Sequence, residues 1–179
     1  MLIANGPLLT FDSESPMFDP GAVRVEGGEI REVGEAGRLL ESSGGEEEVI
    51  DAGGRLILPG LIDTHTHLYS AFARGIALKD DPPENFVQIL QRLWWRLDRA
   101  LDLEDVRLSA LVGLVACLRN GTTTVIDHHA SPSAIEGSLD VVADSFSKAG
   151  LRGVLCYEAT DRNGEDGLRA GIAENVRFL

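Results

Sequence analysis

The sequence predicts an α/β protein, with a small β module over residues 1–55 and strand–helix units over 56–179. Three observations lead there. The N-terminal stretch holds short apolar runs broken by glycine pairs and acidic segments, the pattern of strands and turns. From Leu56 onward, strand-like runs alternate with segments whose apolar residues recur at helical spacing, which argues a parallel sheet with right-handed crossovers. Finally, the run Leu61-Ile62 ends in Asp63-Thr64-His65-Thr66-His67. An apolar strand that turns polar only at its carboxyl end is what the mouth of a parallel barrel requires.

In the β module, Leu2-Ile3-Ala4 and Leu8-Leu9 flank Asn5-Gly6, a hairpin dipeptide. Val23 and Val25 alternate with polar residues before Gly27-Gly28 turns the chain into Ile30 and Val33. Residues 41–48, with Ser42-Ser43-Gly44-Gly45 and three consecutive glutamates, read as a solvated loop. Val49-Ile50 and Leu56-Ile57-Leu58 read as strands around Gly53-Gly54.

In the second part, Asp81-Pro82-Pro83 stops any preceding helix. Phe86, Ile89, Leu90, Leu93, Trp94, Leu97 and Leu101 then fall on one helical stripe. Asp102 and Asp105 form a capping-box pattern with Asp in place of the usual Glu. Val106 to Leu118 is the next helix, ended by Asn120-Gly121. Thr122 to Asp127 is the second strand, Ala134 to Ala149 a helix closed by Gly150, and Val154 to Tyr157 the third strand. A last helix runs from Leu168 to Leu179.

Side chains on a strand alternate faces, so His65 and His67 point the same way, with Asp63 one step deeper. Two imidazoles at a strand end can share one divalent metal through neutral ring nitrogens, zinc before iron and either before magnesium. The bland alternative is a coincidental surface pair. Asp127, His128 and His129 form a second polar cluster. Alternation puts Asp127 and His129 on one face and His128 on the other, where they either touch substrate or merely cap the helix that follows. Arg74 either binds an anionic or carbonyl group or is a surface arginine. Trp94-Trp95 reads as helix packing, and Tyr69 and Phe72 as possible pocket lining.

The run Pro59-Gly60-Leu61-Ile62-Asp63-Thr64-His65-Thr66-His67 resembles the first barrel strand of the amidohydrolase superfamily, and Gly121-Thr122-Thr123-Thr124-Val125-Ile126-Asp127 resembles the second strand of its aminohydrolase and chlorohydrolase branch. Leu68 to Gly75, Leu93-Trp94-Trp95-Arg96-Leu97-Asp98 and Asp127-His128-His129-Ala130-Ser131-Pro132 are similar to aminohydrolases associated with selenium metabolism. The resemblance implies a (β/α)₈ TIM barrel preceded by part of a small β-sandwich, with residues 56–179 supplying the first three βα units. A whole barrel needs ~250 residues, about twice that span. It implies His65 and His67 as metal ligands, and hydrolytic deamination of a heterocyclic amine, or related C–N or C–Cl cleavage. It also implies a third His, an Asp and a Glu or His acid/base from strands beyond residue 179. Asp127, His128, His129 and Arg74 are the substrate-binding candidates.

The net charge of −13, from 29 acidic and 16 basic residues, argues against nucleic acid and anionic membranes as partners. No apolar run is long enough to span a bilayer, and no basic segment leads into an apolar one at the N-terminus, so a cytoplasmic protein is expected. Cys117 and Cys156 read as isolated buried thiols. Unpaired strand edges predict self-association into a homo-oligomer. The alternative to an enzyme is a non-catalytic remnant that binds a partner through those edges. A continuation of the chain carrying the remaining ligands would discriminate the two.

Overall fold

The computed structural model describes residues 1–77 and 79–179. The chain divides into two compact units, Met1–Pro59 and Gly60–Leu179. Among the described residues no helix is long and apolar enough to cross a membrane.

The first unit is a four-stranded sheet of β1 (Leu2–Leu9), β2 (Met17–Glu26), β3 (Glu29–Glu35) and β4 (Val49–Asp51) in the order β3-β2-β1-β4. A helix, α1 (Ala36–Glu41), covers it and supplies Ala36 and Leu39 to a core with Leu2, Ala4 and Ala22. Gly27 and Gly28 take φ of 59° and 82°, which makes the β2–β3 link a two-residue loop of the type that follows strand twist. Asn5-Gly6 is not the expected hairpin. β1 runs straight through it, with register shifts against β2 on both sides of Gly6 and Asn5 at φ 66°. A left-handed Asn in a strand marks a bulge. Gly6 itself cannot carry a side chain, because a Cβ there would lie 2.0 Å from the Arg55 carbonyl oxygen. Two other expectations also change. Of Leu56 to Leu58, only Ile57 bridges to β1, at Leu8. Glu47, in the stretch expected to be a solvated loop, folds back onto Arg24 with an Nε–Oε1 distance of 2.9 Å.

The second unit is a parallel sheet of β5 (Leu61–Thr66), β6 (Thr122–His129) and β7 (Arg152–Tyr157), in that order. Between β5 and β6 lie a 3₁₀ turn (Leu68–Ala73), α2 (Phe86–Ile89), a π-helical segment (Leu90–Trp94), α3 (Trp95–Ala100) and α4 (Leu103–Arg119). α5 (Ser138–Ala149) joins β6 to β7, and α6 (Gly164–Phe178) follows β7. The capping box at Asp102 and Asp105 forms in both directions. Gly121 and Gly150, at φ 75° and 70°, take the left-handed position after α4 and α5. α5 begins four residues later than its apolar pattern suggested, because residues 131–137 are turns held by hydrogen bonds such as Ala134 N–H to the Ser131 carbonyl.

Helix-facing residues build the core: Val106, Ala110 and Leu114 from α4, Val125 from β6, and Val142 and Phe146 from α5. The other face of the sheet carries Ile62, Ile126 and Val154, all exposed, with Ile126 and Val154 in direct register. Cys156 is exposed and not the buried thiol expected. It pairs in register with His128 and so shares this open face.

Candidate metal centre and adjoining cavity

β5 and β6 lose register between the pairs Asp63–Val125 and Thr66–Asp127. Three steps on β5 match two on β6, which is a bulge at Thr64–His65. Bulges re-aim side chains and break strict alternation. Here the bulge separates Asp63 from the histidines it was expected to accompany. Its Oδ1 accepts the His65 N–H at 3.1 Å, and its charge, after burial, helps push the Cys117 thiol up. His65 and His67 stay together at the strand's end, with Nε2 atoms 3.3 Å apart.

That separation fits a shared ion. Two nitrogens bound at ~2.0–2.1 Å in tetrahedral geometry stand about 3.3–3.4 Å apart. The tautomer fits as well. His67 Nδ1 lies 2.9 Å from the His128 carbonyl oxygen. A carbonyl only accepts, so Nδ1 carries the hydrogen and Nε2 presents its lone pair towards His65. Orientation of a ligating imidazole through its other nitrogen is the usual second support of a metal site. Among the described residues no third His, Cys, Asp or Glu completes a cluster.

The pair opens on a cavity of 340 Å³ whose walls include Tyr69, Phe86, Trp94, Trp95, Asp98, His128, Glu158 and Arg162. The π-helical segment (Leu90–Trp94) widens one turn, a feature often found at functional sites. Trp94 closes it and also packs on the core, as expected of a helix-packing residue. Trp95 lies under the Arg162 guanidinium, 5.6 Å from its ring centre. His128 and His67 rings are 5.5 Å apart.

The second polar cluster divides by strand face. β6 runs two residues beyond Asp127, to His129, so alternation holds throughout. His128 faces the cavity. Asp127 and His129, expected to be the substrate-facing pair, are fully buried on the helix-covered side and are absent from the cavity wall. Asp127 Oδ1 accepts the Leu68 N–H at 2.7 Å, which pins the backbone next to His67. Burial, then the Asp63 charge, raise Asp127 to about 7 against that hydrogen bond. Burial lowers His129 to about 4. His129 Nε2 bonds Ser131 Oγ at 2.9 Å, while its Nδ1 and Asp127 Oδ2 have no partner among the described residues. Arg74 lies beside a different cavity of 520 Å³, bounded by Leu93, Trp94 and Cys117, onto which His67 also opens.

Sequence reasoning missed Asp98, Glu158 and Arg162. Asp98 is 1% exposed and bonds Arg162 Nη2 at 2.6 Å. Glu158 bonds the same guanidinium at 2.6 Å. The signal for Glu158 was present: it is the first residue past the carboxyl end of a parallel strand, where ligand-binding groups of α/β sheets collect.

Comparison with known proteins gives a consistent picture. The family model described as the amidohydrolase family matches residues 56–178. The chain is 33% identical over 178 residues to a 5-methylthioadenosine/S-adenosylhomocysteine deaminase from Pyrococcus furiosus, covering 99% of this chain and 38% of that protein. It is 29% identical over 179 residues to a 5′-deoxyadenosine deaminase from Methanosarcina mazei, again covering 38% of the relative. The chain therefore spans about two fifths of the length of these curated relatives. Among solved structures, E. coli guanine deaminase superposes with a TM-score of 0.78 at 22% identity, over 99% of this chain and 42% of that one. Atrazine chlorohydrolase from Arthrobacter aurescens, complexed with zinc, superposes at 0.68 and 25% identity, over 87% and 35%.

Proposed function

The chain belongs to the amidohydrolase family, and we propose that it is the N-terminal part of a metal-dependent hydrolase that deaminates a heterocyclic amine. In this reading Gly60–Leu179 is the first three βα units of a (β/α)₈ barrel, and Met1–Pro59 is part of a β-sandwich. The observation that carries it is the His65–His67 pair, with Nε2 atoms 3.3 Å apart and the His67 tautomer set by the His128 carbonyl.

His65 and His67 hold one divalent ion, zinc before iron because imidazole is a borderline ligand. When bound, the ion supplies Lewis acidity at the strand ends. The chain's own residues do the rest. Asp127 fixes the backbone at Leu68 and thereby the end of β5. Trp94, Trp95, Phe86 and Tyr69 give apolar walls that shed water and offer flat faces to a ring. His128, on the cavity side of β6, is the member of its cluster placed to touch substrate, and Arg74 stands at the neighbouring opening. The aromatic walls, together with relatives named as deaminases of adenosine derivatives and guanine, favour a planar nitrogen heterocycle as substrate.

Elemental analysis of the full-length protein tests the metal assignment. His65→Ala combined with His67→Ala should lose the bound ion and ammonia release together. Equal metal content in variant and wild type would remove the basis of the proposal.

A further inference from the structure

Glu158 is fixed more firmly than a loop carboxylate needs to be. Its N–H donates to the His129 carbonyl at 2.8 Å, which ties the end of β7 to the end of β6. α6 packs so close behind it that a Cβ on Gly171 would lie 2.8 Å from the Glu158 carbonyl oxygen. Its side chain is held as well. Oε2 accepts from Arg162 Nε at 3.0 Å and Nη2 at 2.6 Å. Oε1 has no hydrogen-bond partner among the described residues.

Arg162 is itself anchored. Nη2 donates to Asp98 Oδ2 at 2.6 Å, and the guanidinium lies over Trp95. Asp98 is buried and belongs to α3, so one arginine binds α3 and the end of β7 together. Two carboxylates against one guanidinium leave this wall with an excess negative charge. The wall faces the cavity that His65 and His67 share. A rigid carboxylate with one free oxygen beside flat aromatic faces is an acceptor waiting for a donor. It suits a neutral or cationic ring that carries N–H or O–H groups and disfavours an anionic one.

We propose that Glu158 is a specificity-determining residue whose free Oε1 accepts a hydrogen bond from an N–H or O–H donor of a heterocyclic substrate, with Arg162 as the positioning residue that fixes it. The proposal rests on the reading of the chain as part of a heterocycle deaminase, and its test separates the two.

The probes are 5′-deoxyadenosine and guanine, titrated calorimetrically into chelator-stripped, full-length protein so that binding is read without turnover. Ammonia release is measured in parallel on the metal-loaded enzyme. Glu158→Gln, which keeps the shape and removes the charge, should weaken binding of at least one probe about ten- to a hundredfold, as expected for a hydrogen bond to a charged group. It should raise KM more than it lowers kcat and leave metal content unchanged. Arg162→Lys, which keeps the charge but loses the fork, should weaken binding less. The double variant should bind no more weakly than Glu158→Gln alone, since Arg162 acts on the substrate only through the Glu158 carboxylate it positions. If the wild type binds and deaminates a probe while Glu158→Gln binds it with unchanged affinity, the proposal falls and the deaminase reading stands. If the wild type neither binds nor deaminates either probe, both fall.

Discussion

Replacing Asp127 by Asn should make stability fall more steeply as pH drops through mild acid. Two buried groups on one face of β6 set this up. His129 drops from 6.5 in the unfolded chain to about 4 in the folded one, chiefly by burial. Between those values the unfolded state binds one more proton than the native state, so its contribution is full above pH 6.5 and is lost as pH falls towards 4. Asp127 rises from 3.8 to about 7, again chiefly by burial. Between those values the native state binds the extra proton, so its contribution is present at low pH and is lost as pH rises through 7. Each changes stability by about 1.4 kcal/mol per pH unit, with opposite sign, and over pH 4.5–6.5 they nearly cancel. Asp127→Asn removes one partner and leaves the His129 slope, a loss of about 2–3 kcal/mol from pH 6.5 to 4.5. Asparagine can still accept the Leu68 N–H, so the comparison reads slopes and not a constant offset. Urea midpoints of chelator-stripped wild type and variant, measured every half unit, would show the variant falling more steeply than the wild type by that amount. Parallel curves would refute the coupling.

Leu114 is fully buried in α4, so Leu114→Ala should cost about 2–5 kcal/mol by denaturant titration; a loss below 1 kcal/mol would mean that the α4 face does not pack on the sheet as described. Asp102→Ala removes the acceptor for the Asp105 N–H at 2.9 Å and should cost about 1 kcal/mol, with metal content and substrate binding unchanged; an equal melting temperature would show the capping box to be inert in solution.

Much of the second unit was legible because its signals are local. Helical and strand periods, the Asp102–Asp105 cap and the glycines at 121 and 150 each act within a few residues, so neighbours in sequence carry the information. The His65–His67 pair was legible for the same reason: two residues apart on a strand fixes a shared side. Three things were decided by tertiary structure alone. Asn5-Gly6 carries a hairpin signal, yet β1 pairs with β2 on one side and β4 on the other, and continued pairing absorbs the dipeptide as a bulge. Alternation divides Asp127 and His129 from His128, but only the packing of α4 and α5 determines which face is covered and which meets the His65–His67 pair. The Asp98–Arg162 contact joins residues 64 apart in the chain. Periodicity can say that a residue has a face; only the closing of distant segments against one another says what that face meets.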